Sequence, residues 1–266
     1  MKKLSIVALI LVLCLLATGA MAAGKISVDQ ENFHVVPSYS TYAYAYAKVS
    51  NTGNKPTKLN AGLLEILDED GEAITSEDYV RAYAEYLQPG EYTYCYLYSR
   101  LEDDQVEHVD DYQLTLTGKS DSDQISLRLP VSDVRFEANV QEGWSTYDYM
   151  YMTVTNNTNE PIFDIELVYA LLDDEGNILF MDGDSLGYSK ALMPGSSIMV
   201  RRYLDTATKD YFESKGYVPT TLDVIAFVNI DTPEGYVADA PADEAPIDEA
   251  PVDEAPAEPA SENADE

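Results

Sequence analysis

Tyr42-Ala43-Tyr44-Ala45-Tyr46-Ala47-Lys48-Val49, residues 42–49, alternates large and small side chains without a break. Strict period two is the signature of a β-strand whose two faces meet different surroundings. Ala43, Ala45, Ala47 and Val49 form the side expected to face a core, which leaves Tyr42, Tyr44 and Tyr46 on the side expected to face outward. The pattern returns at Tyr147, Tyr149 and Tyr151, opposed to Met150, Met152 and Val154.

That return is part of a longer duplication. Ser40–Tyr98 aligns with Ser145–Tyr203 without a gap at a constant offset of 105, and 17 of 59 positions are identical. The shared residues fall where backbone chemistry is demanding: Asn51, Asn54 and Pro56 against Asn156, Asn159 and Pro161, and Leu87, Pro89 and Gly90 against Leu192, Pro194 and Gly195. Internal repeats of this kind are the first guide to architecture.

Working outward, Asn51 to Pro56 reads as a turn cluster. The apolar runs Gly62–Leu67 and Leu167–Leu172 read as the next strands, each ending in an acidic turn, Asp68-Glu69-Asp70-Gly71 or Asp173-Asp174-Glu175-Gly176, that starts a hairpin. Leu87-x-Pro89-Gly90 and its copy lead into strands over Tyr92–Tyr98 and Ser197–Tyr203, and closing strands are expected at Tyr112–Thr117 and Leu222–Asn229. Lys209–Lys215 is the one helical stretch expected, with Thr208 as N-cap and Gly216 as stop. The fold class predicted is all-β: two tandem antiparallel β-sandwich domains, at residues 25–130 and 131–237.

The run x-V-x-N, a proline five residues later, an apolar strand ending in Asp and Gly, and L-x-P-G together resemble the FxLYD domain of exported bacterial and archaeal proteins. Its namesake motif corresponds to Leu64-Glu65-Ile66-Leu67-Asp68 and Tyr169-Ala170-Leu171-Leu172-Asp173, where the opening Phe is absent and Leu67 and Leu172 stand in place of Tyr. The resemblance implies an immunoglobulin-like sandwich and brings no catalytic residues with it.

Composition narrows the function classes. The chain carries 48 acidic and 16 basic residues, a formal charge of −32, which repels nucleic acid and anionic membrane surfaces. Residues 1–24 read as a signal peptide: Lys2 and Lys3, an apolar run from Ile6 to Ala17, then the small-x-small site Ala20-Met21-Ala22. The alternative is an uncleaved anchor, since Leu4 to Gly24 is about as long as the ~20 residues that span a bilayer. From residue 238 a disordered Ala/Pro/Asp/Glu-rich tail is expected, with prolines 241, 246, 251 and 256 and, over 239–266, eleven acidic and no basic side chains. These features indicate a secreted or cell-envelope protein.

No nucleophile elbow, metalloprotease helix, CxxC pair or phosphate loop is present, so no catalytic residue, cofactor or metal ligand is assigned. His34 and His108 are the two histidines, and neither recurs in the second copy. Cleavage of the signal removes Cys14 and leaves Cys95, read as a small buried hydrophobe. The acidic-Gly turns, with Asp182 and Asp184 near the second, offer hard oxygens to calcium, although a plain hairpin also explains them. The odd feature is 21 tyrosines against six Phe and one Trp. Tyr42, Tyr44, Tyr46, Tyr94, Tyr96, Tyr147, Tyr149 and Tyr151 are the candidate interaction surface, for a protein or a glycan of the envelope or extracellular space.

Overall fold

The computed structural model describes residues 25–121, 123–187 and 191–233; the segments read as signal peptide and acidic tail lie outside them. The described chain is all-β, in four antiparallel sheets. Sheet I orders β1 (Ile26–Val36), β2 (Thr41–Asn51), β7 (Tyr92–Leu101) and β5 (Arg81–Ala82). Sheet II sets β3 (Thr57–Leu67) between β8 (Asp111–Ser120) on one side and β4 (Ala73–Glu77) and β6 (Tyr86–Leu87) on the other. Sheet III orders β13 (Ile178–Ser185), β12 (Glu166–Leu172), β15 (Thr221–Asp231) and β9 (Gln124–Leu129), and sheet IV orders β10 (Val131–Glu142), β11 (Ser145–Thr155) and β14 (Ser197–Tyr203). Among the described residues there are also two helices, α1 (Asp103–Val106) and α2 (Thr206–Lys215).

Period two sorts the side chains as the sequence leads one to expect. Ala43 and Ala45 of β2 meet Leu64 and Ile66 of β3 and Leu97 of β7, while Ala47 and Val49 meet Leu59, Leu87 and Cys95, so sheets I and II enclose one core. Met150, Met152 and Val154 of β11 meet Leu167, Tyr169 and Leu171 of β12, and sheets III and IV enclose a second. The two sandwich-like halves keep the repeat in register: Tyr44 lies opposite Tyr98 and Val49 opposite Thr93, just as Tyr149 lies opposite Tyr203 and Val154 opposite Ile198.

The identical asparagines hold each half together at one end. Asn51 is fully buried, its amide donating to Lys55 O at 2.7 Å and Leu87 O at 3.0 Å while its Oδ1 accepts from Gly53 N at 2.9 Å. Asn156 repeats this with Glu160 O and Leu192 O, both at 2.8 Å, and Thr158 N at 2.9 Å. Gly90 N and Gly195 N then donate to the Asn51 and Asn156 carbonyls, each at 2.8 Å. Gly90 and Gly195 reach φ of 81° and 71°, the left-handed value that the third position of a proline-led turn requires.

The halves are joined by a third apolar layer. Val168 and Ala170 of β12 and Ile225 and Phe227 of β15 point away from the second core and onto the ring-bearing face of sheet I, where Tyr46 is 4 % and Tyr94 0 % exposed. Tyr46 and Tyr94, expected to face water, are therefore interior, and Tyr44 and Tyr96 are partly buried against the same layer. Burial, followed by the nearby Asp205 carboxylate, pushes the Tyr44 phenol up to about 12. Asp223 collects two hydroxyls, from Tyr94 at 2.7 Å and Tyr92 at 3.0 Å. Gly183 of β13 lies flat beneath Tyr83, where any Cβ would stand 2.4 Å from the ring.

Two further details differ from expectation. Gln124–Leu129, placed by the sequence before a boundary at Pro130, pairs with β15 in sheet III. The helix begins three residues earlier than Lys209, because Asp205 rather than Thr208 is the cap: its carboxylate accepts from Thr208 N at 3.0 Å, and Thr208 Oγ1 donates to it as well. Gly216, at φ 72°, ends it.

Along the seam, β1 presents side chains to the backbone of the β12–β13 hairpin. Gln30 donates to Gly176 O at 2.6 Å, Asn32 to Ile178 O at 3.0 Å, and His34 Nε2 lies 2.9 Å from the same Ile178 oxygen. His34 is 1 % exposed, with Nδ1 3.2 Å from Tyr211 Oη and the rings of Tyr46, Tyr211 and Tyr217 around it. Burial, the dominant cause, lowers its pKa below 6.5; the Ile178 bond opposes this and Lys215 adds to it. The unfolded chain thus takes up a proton more readily than the folded one as the pH falls. Stability from neutral His34 is complete above about pH 6.5 and is lost progressively below it. Melting temperature should therefore fall between neutral and mildly acidic pH by more in the native chain than in His34→Gln. Equal falls would show that the imidazole is not the group responsible.

Candidate functional site

In the second half the corresponding ring face is uncovered. It is the side of sheet IV turned away from the core, so the register of three strands decides which side chains meet on it. Tyr147, Tyr149 and Tyr151 stand in a row on β11, with ring centroids 5.8 and 5.9 Å apart. Across β14, Tyr203 lies opposite Tyr149, Arg201 opposite Tyr151, and Met199 opposite Thr153. On β10, Arg135 lies opposite Tyr151, Glu137 opposite Tyr149 and Val140 opposite Tyr147.

Charged groups clasp the rings. The Arg135 guanidinium sits 4.1 Å from the Tyr151 centroid and that of Arg201 4.4 Å from Tyr149, distances at which the ring quadrupole attracts a cation. Glu142 accepts from the Tyr149 hydroxyl at 2.8 Å and from Arg201 at 2.6 Å, and these two bonds, in that order, hold its carboxyl below the usual range. Tyr149 is consequently almost covered although it lies on an outer face, whereas Tyr147 is partly open and Tyr203 64 % exposed. Trp144, at the β10–β11 turn, and Met199 are also exposed. The result is a platform of rings, thioether and guanidinium groups.

The eight tyrosines named from the sequence thus divide. Tyr147, Tyr149 and Tyr151 belong to this platform; Tyr42, Tyr44, Tyr46, Tyr94 and Tyr96 share the face of sheet I, where Tyr44, Tyr46, Tyr94 and Tyr96 pack against sheet III and Tyr42 against Tyr44 and Tyr98. Trp144, Met199, Arg201 and Tyr203 were not singled out by the sequence. Tyr203 could have been, because it is the identical partner of Tyr98 in the repeat.

The acidic turns use their carboxylates locally. Asp68 Oδ1 accepts from the amides of Asp70 and Glu72, and Asp173 Oδ1 from those of Glu175 and Asn177, the bonding of an ordinary Asx turn. Among the described residues, no three His, Cys, Asp or Glu side chains gather in a way that would hold a metal ion. Cys95 is fully buried, which pushes its thiol up to about 12. No known family model matches the chain, and no curated protein matches it.

Proposed function

We propose that this is a non-enzymatic binding or adaptor protein of the cell envelope or extracellular space. It consists of two immunoglobulin-like sandwiches, and it engages a protein partner through the outer face of sheet IV. One observation carries the choice of a protein. The same ring-bearing face, produced by the same duplicated strands, is occupied in the first half by a protein sheet bearing Val168, Ala170, Ile225 and Phe227. The platform in the second half has the composition of an interaction hot spot, rich in Tyr, Trp and Arg.

The test is capture of partners from the native envelope by the exported protein and by Trp144→Ala/Tyr147→Ser/Tyr203→Ser. These side chains are exposed enough that melting temperature should change little. A saturable protein partner should lose at least about tenfold in affinity, the effect of removing one good anchor. Undiminished binding by the variant would refute the assignment of the face, and binding only to glycans would refute the assignment of the partner.

A further inference from the structure

We infer that the cavity between α2 and the bulged part of β10 is a binding site for a neutral, polyhydroxylated small molecule of monosaccharide size. The argument begins with a residue out of place. Asp148 has the parity of Met150 and Met152, so it points inward, and it is 7 % exposed. At the duplicated position the first half has Ala43, fully buried in its core. Closing such a sandwich therefore does not require a charge here. A buried ion pair is commonly no more stabilising than an apolar replacement of similar volume.

The backbone is adapted to this carboxylate. Between Glu137 and Val140 the register slips, so that Ala138 and Asn139 together oppose the single residue Asp148. Asn139 takes φ of 58°, and its N–H donates to Asp148 Oδ1 at 2.7 Å. Lys209, from α2, donates to the same oxygen and to Asn139 Oδ1, both at 2.9 Å. Bulges of this kind often re-aim side chains beside functional sites.

These groups line a cavity of about 340 Å³ that is also walled by Phe136, Phe212 and Tyr217. That volume lies at the small end of ligand pockets, roughly 300–1,000 Å³. Charge selects the ligand class. Asp148 and Lys209 compensate each other, which leaves the polar side of the cavity without net charge to recruit an ion, and Glu213 on the wall and the charge of −32 oppose an anion. What remains is a row of alternating acceptor, donor and amide next to aromatic surface. Hydroxyls, which donate and accept at once, match the polar side, and the C–H face of a sugar ring matches the aromatic side. The cavity lies on the opposite side of β11 from Tyr147 and Tyr149, so it stands independently of the protein-binding platform.

Saturation-transfer NMR on the full chain, using the methyl glycosides of glucose, galactose, mannose and N-acetylglucosamine at millimolar concentration, provides the test. At least one should receive saturation and shift the amide resonances of Ala138 and Asn139. Val218→Trp, at a cavity residue 67 % exposed and therefore tolerant of change, should weaken that ligand by about tenfold or more without altering the melting temperature. Absence of transfer from all four glycosides would overturn the inference, as would transfer that Val218→Trp leaves intact. Tighter binding of glucosamine or N-acetylneuraminic acid than of every neutral glycoside would overturn the assignment of charge.

Discussion

Asn51→Ala should lower stability by about 3 kcal/mol, read from the urea midpoint, and Asn156→Ala by a similar amount. At sites with no exposure, Asn51→Ala removes two donated bonds and one accepted bond and Asn156→Ala two donated and two accepted, leaving Lys55 O and Leu87 O, or Glu160 O and Leu192 O, without those amide donors. Lys55 O, Glu160 O and Leu192 O each keep another donor, in Thr57 Oγ1, Thr158 Oγ1 and Ile162 N, so the penalty comes chiefly from the lost bonds themselves, at roughly 1 kcal/mol each. Asn51→Asp should be worse than alanine at neutral pH, because it puts a charged acceptor against those two oxygens. If Asn51→Ala and Asn156→Ala both unfold at the native midpoint, the asparagines are turn formers only and the reading of them as the pins of each half fails.

Phe227→Ala acts on a different level, the coupling of one half to the other. Phe227 is fully buried in the layer between sheets I and III, beside Tyr46 and Tyr94. Truncating such a ring costs about 3–5 kcal/mol, through lost transfer energy and the cavity left behind. The loss falls on the seam, so calorimetry should show the native chain unfolding in one transition and Phe227→Ala in two, the second half melting first because β15 belongs to it. One cooperative transition in both proteins, with the same midpoint, would mean that the seam contributes little.

Much of this architecture is legible in the residues, and the exceptions have a common cause. Alternation from Tyr42 to Val49 assigns the strand, its parity and its core side correctly, because pleating alone fixes which side chains share a face. It says nothing about what lies across from the other face. That information resided in the opposite wall. Leu167-Val168-Tyr169-Ala170-Leu171 is apolar at every position, and so are Ile225-Ala226-Phe227-Val228, although a sheet with one wet face would alternate. Such runs imply burial on both sides, and they could have pointed to a layer covering the first ring face. The asparagines were similarly half legible: their identity in both copies was plain, but a turn former and a buried clasp look alike until the partners from Leu87 and Leu192 are in place.

The platform was partly visible for the same reason. Tyr147, Tyr149 and Tyr151 lie on one strand and share parity, whereas Arg135, Arg201 and Tyr203 reach them only through pairings far apart in the chain. The cavity at Asp148 left a trace as well, since the repeat puts a carboxylate where Ala43 stands. The Lys209 that meets it comes from a helix outside the duplicated stretch.

The sulfur of Cys95 offers a built-in clock for these motions. It is packed with Ala47, Val49, Leu59 and Leu87, and with its thiol held at about 12 it exposes almost no thiolate to an alkylating reagent while the first half is closed. Its rate of modification by iodoacetamide therefore counts how often that half opens. Wherever the surroundings are oxidising, the same seclusion guards this thiol against being captured by a stranger.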